Sequence, residues 1–259
     1  MPSFDVPGAV LDVELSDEGG HPVVQLHGLT SSRRRDRVLD LDLGRGLSGT
    51  RLLRYDARGH GRSTGREVPE DYRWDVLADD LLRLLEAWFP GEPVHGVGPS
   101  MGCGTLLHAA IREPERFAGL TLLVPPTAWE TRVAKAEDYR RAAAVVEELG
   151  MAAFVEAGRM VAPPPATVGV PETVPDVADW LLPTLLRGAA LTDLPSKRSL
   201  AMLDLPVLVL AWTEDASHPL STAEAIVETV PGARLEVATT LTDVHTWPSR
   251  LHDEVAAHG

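Results

Sequence analysis

Short apolar runs alternate with stretches of helical periodicity along most of the chain. Val23–Leu26, Leu52–Asp56, Val94–Val97, Leu120–Val124, Val207–Trp212 and Leu235–Ala238 are short apolar segments spaced by helical or turn-rich stretches, so they read as strands, with an edge strand near Val10–Leu15. In Asp75–Trp88 the residues Leu77, Leu81, Leu84, Leu85 and Trp88 recur at helical spacing, and Phe89-Pro90-Gly91 stops the run. Strands separated by crossover helices predict an α/β domain with a mostly parallel central sheet and helices on both faces.

The alternation fails between Thr127 and Leu203. No strand pattern occurs there, and Ala134–Gly150, Met151–Val161 and Asp176–Arg187 carry amphipathic spacing on either side of Pro163-Pro164-Pro165. The expected organisation is one domain with a core of residues 1–126 and 204–259, and an all-helical cap, 127–203, inserted over the end of the sheet. Trp129, Met151, Phe154, Met160 and Trp180 would give that cap an apolar inner surface, with core packing the alternative for each.

Composition narrows the function by exclusion. No apolar run in the 259 residues approaches the roughly 18 needed to span a bilayer. Met1–Asp5 lacks a basic leader and an apolar segment, so a cytoplasmic location is expected. Cys103 is the sole cysteine, which excludes an intrachain disulfide and a cysteine-built zinc site. A net charge of -14 argues against nucleic acid and anionic membranes as partners. Arg33-Arg34-Arg35 is followed by Asp36, Asp40 and Asp42 and reads as a solvated loop or helix face rather than an anion site. Lysine occurs only at Lys135 and Lys197 against abundant arginine, a bias of high-GC bacterial coding.

Candidate chemistry centres on Gly98-Pro99-Ser100-Met101-Gly102, a G-x-S-x-G run between an apolar strand and the helix opening at Gly104. A nucleophile on such a turn sits in strained backbone, and Gly98 and Gly102 allow the close approach of neighbouring chain. Serine needs a base and a carboxylate to orient that base. Asp215 follows the strand Val207–Trp212 and His245 follows the last strand, giving the order Ser, Asp, His. His218 sits beside the candidate acid, and His252 and His258 lie on the terminal helix, so His245 is the preferred base; Glu214 and Asp243 compete less well for the acid. The amides of Leu29, after His27-Gly28, and of Met101 are the expected oxyanion hole, with His27 holding its loop.

These segments, together with Tyr55-Asp56-Ala57-Arg58-Gly59-His60-Gly61-Arg62-Ser63 and Pro206–Asp215, resemble the α/β-hydrolase family of esterases and lactonases over nearly the whole chain. The resemblance implies that the glycines of 56–63 form turns rather than a phosphate cradle, that His60 is non-catalytic, and that 127–203 corresponds to the family's cap. Pro99 and Trp212 depart from the usual pattern, and Trp212 bears on the loop carrying Asp215. Cys103 reads as a small packing residue. The expected function is hydrolysis of a small-molecule carboxylic ester or lactone through a Ser100 acyl-enzyme, with no cofactor or metal. Carbon–carbon bond hydrolysis or peracid formation by the same triad, and a ligand-binding receptor with negligible turnover, are the alternatives. Oligomeric state is not legible.

Overall fold

The computed structural model describes residues 2–258. Among these, the chain opens with a hairpin of β1 (Ser3–Val6) and β2 (Ala9–Asp17), turned at Gly8 with φ 83°. There follow β3 (Pro22–Gln25), α1 (Arg33–Val38), β4 (Arg51–Tyr55), α2 (Trp74–Trp88), β5 (Val94–Pro99), α3 (Met101–Arg112) and β6 (Phe117–Leu123). An insertion carries α4 (Arg132–Arg159), α5 (Leu182–Ala190) and α6 (Lys197–Leu200). The chain then returns as β7 (Val207–Trp212), α7 (Leu220–Thr229), β8 (Arg234–Ala238), α8 (Leu241–Val244) and α9 (Trp247–His258).

The described strands form one sheet of order β1-β2-β4-β3-β5-β6-β7-β8. β2 runs antiparallel to both neighbours, and every pairing from β4 to β8 is parallel. Parallel strands are buried on both faces, which is why they read as continuous apolar runs. β7 shows the consequence: Val207, Val209 and Ala211 enter one core with residues of α2, α3 and α7, while Leu208, Leu210 and Trp212 enter a second with Trp247, Leu251 and Val255 of α9. A third apolar cluster joins Ala143 and Val146 of α4 to Leu182, Leu185 and Leu186 of α5 and to Tyr72, with Leu29 packed against it. The insertion is thereby held on the loop that follows β3.

Two expectations about elements need correction. β1 was not visible in the sequence, because a four-residue strand at the sheet edge, half polar, carries no alternation to detect. The insertion is not helical throughout. α4 breaks at Gly150 (φ 81°, ψ 171°), where the two amphipathic stretches meet, but most of 160–181 is irregular apart from a 3₁₀ turn at Pro165–Thr167. The helix expected from Asp176 starts only at Leu182, because the Asp176 amide donates to Thr30 O at 2.9 Å, its carbonyl accepts from Gly61 at 2.7 Å, and Val177 bridges His60. Backbone groups engaged with the core loops cannot also build a helical turn.

Candidate active site

The strand β5 runs straight into α3 through Ser100, whose φ of 50° and ψ of -105° lie outside the regions favoured by residues with a Cβ. Such strain persists only where surroundings enforce it. A Cβ on Gly98 would meet Leu26 Cβ at 3.0 Å, and one on Gly102 would meet the same atom at 3.1 Å, so both glycines ease the close approach of the β3 loop. Gly28 brings that loop onto the elbow: a Cβ there would lie 3.8 Å from Ser100 Cβ. Beneath the turn, the buried Cys103 thiol donates to Gly98 O at 3.2 Å and Leu123 O at 3.0 Å, and burial pushes its pKa up, so it packs as a thiol.

Ser100 Oγ lies 2.9 Å from Nε2 of His218, and His218 Nδ1 lies 2.8 Å from Asp215 Oδ2. An ionised carboxylate only accepts, so Nδ1 carries the proton and Nε2 is left to accept from the serine hydroxyl. Asp215 also receives Trp212 Nε1–H at 2.8 Å, the Ser217 amide at 2.8 Å and the His218 amide at 3.3 Å. Burial alone would raise its pKa, but the hydrogen bond and charge of His218, followed by Trp212 and Ser217, outweigh this and hold the carboxyl far below its ordinary range. Trp212, an unusual residue at this position, therefore orients the acid, and its ring lies edge-on to His218 with centroids 6.2 Å apart.

His245, expected as the base, is not at this centre. It follows α8 as that helix's C-cap residue, its side chain is 52 % exposed, and its charged neighbour is Asp40 at 3.7 Å. The imidazole beside Ser100 belongs to His218, 21 % exposed. The cause is local. Thr240 and Asp243 close a capping box that winds the segment after β8 into helix, while Trp247 stacks on Trp212 at 6.0 Å with the planes 16° apart. A signal existed in the sequence: Thr240-Leu241-Thr242-Asp243 fits the capping-box pattern, and Asp215-Ala216-Ser217-His218 puts acid and base on one short turn. Of the other competing residues, Asp243 accepts from Thr239 and Thr240 rather than from an imidazole.

Met101 is the first residue of α3, so its amide is one of the donors a helix leaves open, and Leu29 follows the loop pressed on Ser100. His27 holds that loop: its Nε2 accepts from the Ala57 amide at 2.9 Å and its Nδ1 donates to Gly28 O at 2.8 Å. In the glycine-rich segment, Asp56 accepts from the Arg33 backbone and side chain at 3.0 Å and from the Arg62 amide at 3.1 Å. Arg58 forms a buried bidentate pair with Asp80 at 2.7 Å, and Gly59 and Gly61 take φ of 74° and 54°. These are turn-forming and anchoring roles. His60 is buried against His27, and burial takes its pKa down to about 3.

Lys135, from α4, reaches the acid loop and donates to Ser217 Oγ at 2.9 Å. A cleft of about 830 Å³ opens between α4 and the irregular segment of the insertion, with Thr30 on its wall. Among the expected apolar residues, Phe154 lines it, whereas Trp129 is pinned by Nε1 to Pro195 O at 3.0 Å, and Met160 and Trp180 are exposed. No three His, Cys, Asp or Glu side chains among the described residues gather to hold a metal ion, and no described helix is long and apolar enough to cross a membrane.

A sequence model of the alpha/beta hydrolase fold matches residues 21–148. The chain has the α/β-hydrolase fold. RutD of Caulobacter sp. (strain K31), named as a carbamate hydrolase, is 26% identical over 233 residues, 83% of this chain and 85% of that one. 3-Oxoadipate enol-lactonase 2 of Acinetobacter baylyi is 29% identical over 198 residues, 72% of this chain and 69% of that one. A crystallised hydrolase from Pseudomonas aeruginosa PA01 superposes with a TM-score of 0.78 at 25% identity, covering 99% of this α/β-hydrolase and 97% of that chain.

Proposed function

We propose that this α/β-hydrolase is a serine hydrolase of carboxylic esters or lactones, with Ser100 as nucleophile, His218 as base and Asp215 as the acid that orients it. The observation that carries the reading is the continuous hydrogen-bonded line from Ser100 Oγ through His218 to Asp215, starting at a strained elbow. The names of the enol-lactonase and carbamate hydrolase relatives support an acyl bond as target.

In the first step His218 Nε2 takes the serine proton as Oγ attacks the carbonyl carbon. The developing oxyanion is held by the amides of Met101 and Leu29. Collapse breaks the acyl–oxygen bond, and the imidazolium returns its proton to the leaving alkoxide, which stays tethered to the acyl group when the substrate is a lactone. Water, deprotonated by the same imidazole, then releases the acid and restores Ser100. The insertion 127–203 serves as the cap, bringing Lys135 to the acid loop and forming one wall of the cleft.

Intact-mass spectrometry after fluorophosphonate treatment tests the mechanism, paired with turnover of a panel of p-nitrophenyl esters. One adduct on the wild type and none on Ser100→Ala, with ester turnover lost in the variant, is the expected result. An unmodified wild type that hydrolyses no ester overturns the reading.

A further inference from the structure

The three guanidinium groups of Arg33-Arg34-Arg35 end in different situations, and only Arg34, 82 % exposed, lies on the solvated face that the sequence suggested for the run as a whole. Arg33 is buried against Asp12 and Asp56, and Arg34 pairs with Asp176 at 3.1 Å. Arg35 makes no ion pair among the described residues. Its Nε donates to Thr173 Oγ1 at 2.8 Å and its Nη1 to the carbonyl and hydroxyl of Thr30 at 3.0 and 3.2 Å, all neutral acceptors. Nη2 has no protein acceptor among the described residues. Burial lowers the pKa of this half-buried group, yet a guanidinium stays charged. In a chain with 38 acidic and 24 basic residues, a partly desolvated cation that no carboxylate pairs directly, Asp36 and Asp176 acting on it only through space, is conspicuous.

Arg35 lies on the wall of the 830 Å³ cleft, whose lining includes Val145, Phe154, Val155 and Val161. The carboxylates of the same cleft are engaged by other arginines, Asp138 by Arg141 and Glu172 by Arg159. The cleft also reaches Thr30, two residues beyond the Gly28 that presses on Ser100.

We propose that Arg35 binds a carboxylate, and that the cleft takes an ester or lactone whose acyl chain ends in a free acid. This rests on the serine-hydrolase reading above. The apolar walls accommodate the chain, and the N–H groups of Nη2 meet the acid in charge-assisted hydrogen bonds, giving Arg35 the direct ion pair it lacks.

The test compares mono-p-nitrophenyl esters of straight-chain dicarboxylic acids, succinate to suberate, with the matched methyl-capped neutral diesters. Wild type, Arg35→Met and Arg35→Gln are each assayed for kcat/KM and for the rate of fluorophosphonate labelling. The wild type is expected to prefer the acidic ester at one or more chain lengths. Both variants are expected to lose about 10- to 100-fold on that ester alone, with labelling and the neutral ester nearly unchanged. Equal losses on acidic and neutral esters would reduce Arg35 to a tie between Thr30 and Thr173 and overturn the proposal, as would a wild type with no acid preference at any length. Failure of labelling and of all ester turnover would instead strike the serine-hydrolase reading itself.

Discussion

The segments leaving β7 and β8 invite comparison because each carries an aspartate and a histidine within a few residues of the strand end. After β7, Asp215 gathers donors from Trp212, Ser217 and His218, and the imidazole it holds is aimed at Ser100. After β8, Asp243 gathers the amides of Thr239 and Thr240 and the Thr239 hydroxyl at 3.2 Å, and His245 is left half-exposed. Both carboxyls are held below their ordinary pKa. For Asp215, His218 leads the groups that overcome the cost of burial; for Asp243, the Thr239 amide is the leading cause. A depressed carboxylate is thus no sign of catalysis by itself, and the identity of the donor separates a site from a helix cap. The stacked Trp212 and Trp247 join the two segments, so each constrains the other's course.

The sharpest way to break the comparison is to delete each histidine. His218→Ala is expected to lower kcat by about 10⁴- to 10⁶-fold and to slow fluorophosphonate labelling in parallel, whereas His245→Ala should stay within about threefold of wild type. Reversed results would mean that the segment after β8 supplies the base. The acids give a smaller contrast that divides activity from stability. Asp215→Asn should cost roughly 10³- to 10⁴-fold in kcat, because an amide no longer holds the productive tautomer. Asp243→Asn should leave kcat alone and lower the urea midpoint slightly through the weakened cap.

How far the sequence reaches differs between these same regions. β5 and its elbow were legible because a strand buried on both faces is a continuous apolar run and because the turn admits only small neighbours at positions 98 and 102. The amphipathic stretches of α4 were legible for a similar reason, down to the break at Gly150. The path of 160–181 was not, since it is fixed by backbone bonds to Thr30 and Gly61, some 115 to 146 residues away in the chain, and no local pattern records them. His218 fell between these cases. Position after a strand pointed to His245, while the capping residues that remove His245 from the centre and the tryptophan that completes the β7 loop were both present in the sequence and were outweighed.

A third buried carboxylate sharpens the contrast from the opposite side and bears least on catalysis. Asp36 accepts from Ser31 Oγ at 2.5 Å, while its Oδ2 is buried without a partner. Burial is the leading cause that raises its pKa from 3.8 to about 7, with the Ser31 hydrogen bond and Arg35 opposing it. Its protonated form is therefore the one the fold prefers. Between the unfolded and folded values the native state holds a proton that the unfolded chain releases, so this group's contribution is complete below about pH 4 and declines as pH rises through 7. Asp36→Asn keeps an acceptor for Ser31 and has no charge to expose. Thermal midpoints at pH 5 and pH 8 should show the advantage of the variant over wild type small at the lower pH and larger at the higher, with kcat little changed. An equal drop in both proteins would assign the pH dependence to other groups. Ser31, the partner of Asp36, also closes the turn back to Gly28, its amide donating to Gly28 O at 3.1 Å in the loop that leads to Leu29, so Asp36 stands one contact from that loop.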